Sequence, residues 1–438
     1  MELPSPSDVQ VPTLGACTVP SPLPMAEDGF IDEGDRVLLF SSTRPLQPFL
    51  QSGREPPAFE MAGPRRKIFF DPKKLTCGIV TCGGLCPGLN DVIRSIVLTL
   101  RHGYGVQRIL GFRYGYLGLT GKSSDPPLEL TLELISTIHE RGGTLLGSSR
   151  GPQDISEMVD TLVRQNVGIL FTIGGDGTLR GASAICQEIT RRQLSIAVIG
   201  VPKTIDNDLD WTMRSFGFTT AVSEARESIY AAHTEAVGAY NGIGLVKLMG
   251  RHSGFISAHA SLASGDVNFC LVPEVPFSLH GEKGFLAALE RRLGQRRHAV
   301  VVVAEGAGQD ILQDPAHQEQ DASGNLRLKD VGVFLRDQIG LHFRERGIET
   351  TVKYIDPSYT IRSLPAGALD SEFCLMLGQH AAHAGMAGKT DLVVGLWNQN
   401  FTYIPISLSV ARTKKIDPRS DLWQRVLETT GQPASMPG

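Results

Sequence analysis

Residues 167–178 limit the possible folds more than any other stretch of the chain. Val167-Gly168-Ile169-Leu170-Phe171-Thr172-Ile173 is a nearly unbroken apolar run of strand length. It passes directly into Gly174-Gly175-Asp176-Gly177-Thr178, which opens a segment with helical spacing. Four glycines between 174 and 181 leave backbone N–H groups open to an anion that no side chain could reach past a Cβ. Strand, glycine turn and helix in that order make a phosphate loop. Asp176 adds a carboxylate where phosphates would sit. Bare like charges repel, so a divalent cation between them is implied, and with it a metal–nucleotide or metal–pyrophosphate ligand. The residues alone also permit a tight turn in which Asp176 caps the helix.

Two more strand ends repeat the pattern. Residues 79–90, Ile-Val-Thr-Cys-Gly-Gly-Leu-Cys-Pro-Gly-Leu-Asn, lead from a strand into a second glycine turn ahead of helical spacing from Asp91. A third strand, 195–200, runs into Val201-Pro202-Lys203-Thr204-Ile205-Asp206-Asn207-Asp208. Polar, turn-forming tips at the carboxyl ends of several strands describe the ligand-binding rim of a parallel α/β sheet. Strands are expected at 76–81, 108–112, 167–173, 195–200, 243–248, 268–272, 298–304, 351–355 and 391–396. Helices are expected near 91–101, 178–192, 218–235, 252–264, 281–294, 328–346 and 369–386. That alternation is the signature of an α/β protein with parallel-rich sheets flanked by helices. Residues 308–324 read as an exposed excursion between lobes.

At 438 residues the chain can hold two lobes, each with its own core. A formal net charge of -4 gives no support for a nucleic-acid partner or an anionic membrane surface. Apolar runs such as 299–304 are far too short to span a bilayer, so no membrane segment is expected. The seven cysteines, at 17, 77, 82, 86, 186, 270 and 374, include no pair with zinc-finger spacing. Reduced thiols in a cytoplasmic protein are the expectation. Residues 1–62 are Pro-rich and made acidic by Asp28, Asp32, Glu33 and Asp35, and read as an N-terminal arm partly disordered at its start. Residues 63–438 form the remaining, catalytic region.

Five motifs in order carry a resemblance. They are Gly83-Gly84-Leu85-Cys86-Pro87-Gly88-Leu89-Asn90, the 174–178 loop, residues 202–208, Lys247-Leu248-Met249-Gly250-Arg251 and Val303-Ala304-Glu305-Gly306. NAD kinases and diacylglycerol kinases carry nearly the same glycine string, but have no reason to carry the other four. From about Gly63 to about Leu408 the chain resembles the 6-phosphofructokinases, in the branch holding both pyrophosphate-dependent enzymes and ATP-using relatives. The resemblance implies a two-lobed phosphofructokinase-type fold. It implies transfer of the γ-phosphoryl of MgATP to O1 of fructose 6-phosphate in glycolysis, and an allosteric homo-oligomer, dimer or tetramer. A pyrophosphate-dependent enzyme and a catalytically silent regulatory subunit are the alternatives.

Phosphoryl transfer to an alcohol needs an oriented donor, neutralised charge on the moving group and a base for the hydroxyl. Asp206 and Asp208, two residues apart at a strand end, would point to one side of an extended backbone. The resemblance makes Asp206 the base, with Asp208 supporting the local charge and the metal region. It sets Thr204 and Arg251 against the phosphoryl group, and Gly84, Arg150, Gly151, Gly175, Asp176, Gly177 and Thr178 on the nucleotide, Asp176 on its Mg²⁺. Sugar recognition falls to Ile205, Met249, Gly250, Glu305, Lys353, Tyr359 and Arg362, beside Thr204, Asp206 and Arg251. Three departures stand out: Tyr359 occupies a position where bacterial relatives have histidine, Lys353 one where they donate an arginine across a subunit interface, and the third is at position 242. Position 242 is Gly where a further interface arginine is expected. Donor choice turns on Gly177 and Lys203. Pyrophosphate users share the lysine but carry Asp in place of Gly177, so ATP is the expected donor. His380 and His383 sit among alanines and read as packed helix positions, not metal ligands.

Overall fold

The computed structural model describes residues 4–312 and 327–438, which divide into two compact units. Unit 1 comprises Met1–Ile205, Leu209–Gly217 and Ser363–Arg412; unit 2 comprises Asp206–Asp208, Phe218–Arg362 and Thr413–Gly438. Of the excursion expected over 308–324, Gln309–Leu312 form one helical turn and residues from 313 lie outside the described set.

Unit 1 is built on a nine-stranded sheet. Its strands run, edge to edge, Arg36–Leu38, Ala58–Met61, Asn400–Pro405, Leu392–Trp397, Ala197–Pro202, Val167–Gly174, Thr76–Thr81, Arg108–Gly111 and Leu128–Glu129. The five from Leu392–Trp397 to Arg108–Gly111 are parallel and the outer ones antiparallel. The central strands are apolar on both faces because helices cover both. Leu170 and Val198 pack with Leu179, Ala182 and Ile185 of the helix Asp176–Arg191. Ile169 and Phe171 lie against Gly385 on the other face, in the helix Ala368–Met386. Continuous apolar runs, instead of alternation, are what such doubly covered strands require.

The first 62 residues take part in this unit. Val37 pairs with Phe59, Glu60 with Tyr403, and Phe59 meets Trp211 and Trp397 edge-on at 5.7 and 6.2 Å. Glu60 receives Arg65 and Lys389 at 2.8 Å each, all three buried, and Glu33 of the acidic stretch reaches Lys389 at 2.9 Å.

Unit 2 holds a four-stranded parallel sheet in the order Phe269–Leu271, His298–Ala304, Gly242–Leu248 and Thr351–Ile355. Leu245, Val301 and Val303 pack with Phe285, Leu289, Leu335, Ile339 and Phe343 from the helices Phe285–Arg296 and Val331–Glu345. The C-terminal segment belongs to this core. Met436 joins it, and Gln432 holds both backbone groups of Cys270. All seven cysteines are unpaired thiols, and among the described residues no helix is long and apolar enough to cross a membrane.

Candidate active site

Register aligns three strand ends in unit 1. Thr81 lies opposite Ile173 and Gly174 opposite Pro202, so the turns that follow emerge side by side. Cys82 N donates to Ile173 O at 2.9 Å and Lys203 N to Gly174 O at 3.0 Å. Gly83, at φ +86°, turns the chain back, and Ser148 Oγ and Ser149 O pin it at 2.5 and 3.2 Å. A Cβ on Gly83 would lie 3.3 Å from Lys203 Nζ, and one on Gly84 would lie 3.4 Å from Arg150 Nη2. Lys203 is buried and Arg150 exposed, so the glycine pair is flanked by one cation from within and one from solvent.

The helix Asp176–Arg191 begins directly after Gly175, and no side chain caps it. Asp176 is therefore its first residue and not its cap. The carboxylate is about half exposed and meets Arg180 at 3.0 Å. Its neighbour Gly177 faces open space: nothing lies within 4 Å of where a Cβ would stand. The first N–H groups of this helix and the open glycine together make the kind of terminus that accepts an anion. No group of three or more His, Cys, Asp or Glu suited to a metal occurs among the described residues. A cation at Asp176 would need most of its oxygen ligands from a phosphate chain, as Mg²⁺ ordinarily does. A cavity of about 420 Å³ lies at the opposite, amino ends of these strands, lined by Phe69, Leu75, Val163 and Ile196. It is a gap in packing, away from the glycine turns.

The strand Ala197–Pro202 leads through Lys203 to Thr204 and Ile205, still in unit 1, and the chain enters unit 2 at Asp206. Here the backbone is not extended as expected. Asn207 sits at φ +55°, a left-handed turn that asparagine tolerates. The carboxylates remain close enough for Asp208 to act on Asp206. Burial, then the charges of Asp208 and Glu305, push the Asp206 carboxyl up to about 7, against the pull of Arg362 and the Arg251 N–H. Asp206 Oδ1 is buried and has no hydrogen-bond partner among the described residues.

Parallel pairing supplies the neighbours. Leu248 lies opposite Ala304, Glu305 N donates to Leu248 O at 2.9 Å, and Gly306 N donates to Gly250 O at 3.0 Å. Arg251 and Glu305 thus leave adjacent strand ends. A Cβ on Gly306 would stand 2.0 Å from Arg251 O, so only glycine lets the two turns touch. The short helix Ser358–Ser363 brings Arg362 alongside, its Nε 3.1 Å from Met249 Sδ. Asp206, Asp208, Met249, Arg251, Glu305 and Arg362 are gathered in this way.

Two expected sugar-binding residues are not. Lys353 lies opposite Gly244, well before the strand end, and pairs with Glu235 at 3.4 Å. Tyr359 is 84% exposed. His380 and His383 are half-buried in the helix Ala368–Met386, pushed down to about 4 and about 3 chiefly by desolvation, with His383 Nδ1 2.8 Å from Tyr104 Oη. They are packed neutral imidazoles. Sequence reasoning missed the residues that work on backbone groups: Ser253, whose Oγ donates to Asp206 O at 3.4 Å, Lys414, whose N donates to Asp208 O at 2.7 Å, and Glu274. Ser253 lies in the turn between Gly250 and Gly254, but Lys414 and Glu274 lie in no glycine turn, and nothing in the spacing of the three announces them.

The phosphofructokinase family model matches residues 76–385, which takes in both groups of residues. The chain belongs to this family. The ATP-dependent 6-phosphofructokinase of Amycolatopsis methanolica is 50% identical over 440 residues, covering 98% of this chain and 95% of its own length. That of Trypanosoma brucei brucei is 50% identical over 374 residues, 85% of this chain and 76% of its own. Among solved structures, the pyrophosphate-dependent phosphofructokinase of Marinobacter aquaeolei superposes with a TM-score of 0.67 at 22% identity, covering 83% of this chain and 92% of that one. That likeness concerns the fold alone.

Proposed function

We propose that this chain is an ATP-dependent 6-phosphofructokinase, which transfers the γ-phosphoryl of MgATP to O1 of fructose 6-phosphate and releases ADP and fructose 1,6-bisphosphate. The observation that carries the reading is Asp206 Oδ1, a buried carboxylate oxygen without a partner on a group raised to about 7. A base of that kind suits abstraction of a sugar hydroxyl proton near neutral pH. Arg251 neutralises charge on the moving phosphoryl, Thr204 touches it, and Asp208 keeps Asp206 basic. Glu305, Met249, Gly250, Ile205 and Arg362 bind the sugar phosphate. Gly84, Arg150, Gly151, Gly175, Gly177 and Thr178 receive the nucleotide, and Asp176 holds the Mg²⁺ that accompanies ATP and offsets charge on its phosphates.

Lys203 beside Gly83 suits pyrophosphate as well as ATP, but the open space at Gly177 favours the nucleotide. Lys353 lies on an edge strand, about half exposed and paired with Glu235, a position a neighbouring subunit can reach, which supports a homo-oligomer. The domain reading, an N-terminal segment of 62 residues ahead of a catalytic region, and a cytoplasmic location complete the proposal. Product formation from fructose 6-phosphate, measured with ATP and pyrophosphate in parallel, tests it. Turnover with ATP is expected, and turnover with pyrophosphate alone overturns the donor assignment.

A further inference from the structure

The turn from Met249 to Gly254 carries Arg251, and its two ends are fastened differently. Its start is held by the sheet, through the bonds of Glu305 N to Leu248 O and Gly306 N to Gly250 O. Its finish is held by side chains: Ser253 Oγ donates to Asp206 O at 3.4 Å, and Glu274 takes the N–H of Gly254. Glu274 follows the strand Phe269–Leu271, and its carboxylate accepts from Gly254 N at 3.0 Å on Oε1 and 3.1 Å on Oε2. Gly254 is the residue ahead of the helix Phe255–Ser264, so this bond also satisfies one of the N–H groups that a helix start leaves open. The approach is close: a Cβ on Gly254 would stand 2.3 Å from Val272 Cγ1 and 3.2 Å from Glu274 Oε2.

The same Oε1 accepts from Ile416 N at 2.9 Å. Ile416 lies two residues beyond Lys414, whose N–H donates to Asp208 O at 2.7 Å and whose Nζ stands 5.3 Å over the Phe255 ring. One carboxylate therefore joins the turn bearing Arg251 to the C-terminal segment, and that segment in turn holds the backbone of Asp208. Burial pushes Glu274 upward, while the N–H groups of Ile416 and Gly254 pull it down. A half-buried carboxylate whose hydrogen bonds go to backbone donors on two segments is placed to hold structure, at some cost in desolvation.

We infer that Glu274 is a positioning residue for phosphoryl transfer, fixing Arg251 through Gly254 and Asp208 through the segment 414–416. The inference rests on the reading of Arg251 and Asp208 as parts of the phosphofructokinase site. A reacting group displaced by about 1 Å loses roughly a hundredfold in rate, whereas ground-state binding of the sugar elsewhere in the site is little affected.

The test uses the full-length protein with Glu274→Ala and Glu274→Gln. Glutamine keeps an oxygen that can accept from both Gly254 and Ile416; alanine keeps neither. For Glu274→Ala, kcat with fructose 6-phosphate and ATP is expected to fall about tenfold to a hundredfold, with KM for the sugar changed less than threefold. Glu274→Gln is expected to restore kcat to within threefold of wild type. Should the alanine variant fail to fold, Glu274→Asp, which withdraws the carboxylate by one methylene, carries the test, with a kcat loss of about tenfold expected. A folded alanine or aspartate variant with wild-type kcat, or a loss seen only in melting temperature, overturns the inference and leaves the enzyme assignment intact. A wild-type protein inert towards fructose 6-phosphate overturns the assignment, and the inference with it.

Discussion

The candidate site residues of unit 1 and those of unit 2 are built by opposite means. On unit 1 the candidate donor residues form an open, glycine-rich rim: Gly83, Gly84, Gly175 and Gly177 contribute backbone and empty volume, and Asp176 stands half in solvent. On unit 2 the candidate acceptor residues form a crowded cluster of side-chain charge, with Asp208, Glu305 and Arg362 close enough to act on the Asp206 carboxyl. Such a difference fits the ligands. A triphosphate brings its own charge and needs N–H groups and room. A sugar hydroxyl brings no charge and needs a base whose pKa has been moved. Substitutions should then act through volume on unit 1 and through protonation on unit 2.

The largest effect belongs to the base. Asp206→Asn preserves shape but cannot accept a proton, so kcat should fall by ~10² to 10⁴ with little change in sugar affinity. Linkage adds a second readout. The Asp206 carboxyl is raised from 3.8 to about 7 on folding, so between those values the native state binds the extra proton and stability falls as pH rises. The asparagine variant, freed of that buried charge, should melt higher than wild type at pH 8. A variant that keeps wild-type turnover removes Asp206 from the role, and the contrast between the units with it.

Gly177→Asp probes the other side. Nothing in the free protein blocks the new side chain, so melting should change little. At ~4 Å and an effective dielectric near 20, repulsion from a nucleotide phosphate is worth roughly 4 kcal/mol, about a thousandfold in ATP use. Any activity with pyrophosphate should suffer less. Equal loss with both donors would show that the position governs fit and not donor charge.

Arg251→Ala should cost on the order of 3 kcal/mol in the transition state, about a hundredfold in rate. Kinetics left at the wild-type level, with only the melting temperature moved, would make the residue structural.

The smallest effect is the pH dependence. The wild-type rate should rise about tenfold per pH unit on the acid side and level off above about 7, as Asp206 loses its proton. A profile flat from pH 5.5 to 8 would break the link between Asp206 and turnover.

Most of the fold was legible because strands covered on both faces must be continuous apolar runs. The strands Thr76–Thr81 and His298–Ala304 fall where that signal set them, and the exposed edge strand Thr351–Ile355 also falls where expected, without it. Strand Ala197–Pro202 begins two residues later than expected, since Ser195 lies outside the ladder with Val167–Gly174. Other elements gave weaker signals. The strand Asn400–Pro405 returns through Asn398-Gln399, both left-handed, where a hairpin more often announces itself with glycine. The helix Ile155–Arg164 was missed although Asp154 accepts from Glu157 N, a cap the sequence displays as Asp-x-x-Glu. Arg36–Leu38 and Ala58–Met61 are too short to show a period. In the candidate site, glycine turns and carboxylate pairs were readable because their chemistry is in their residue types. Glu274 and Lys414 were not, since a side chain or amide that serves a distant backbone carries no local pattern.

The contact between Gly306 and Arg251 O has a consequence for how freely this region can vary. Under random mutagenesis followed by selection for folded protein alone, position 306 should return only glycine, because every other side chain begins with an atom 2.0 Å from a carbonyl oxygen. Position 177 should return many residues under the same selection, and narrow to glycine only when survival depends on turnover. Two glycines, identical on paper, would thus be held by different pressures, one by the folded chain itself and the other by a molecule that visits it.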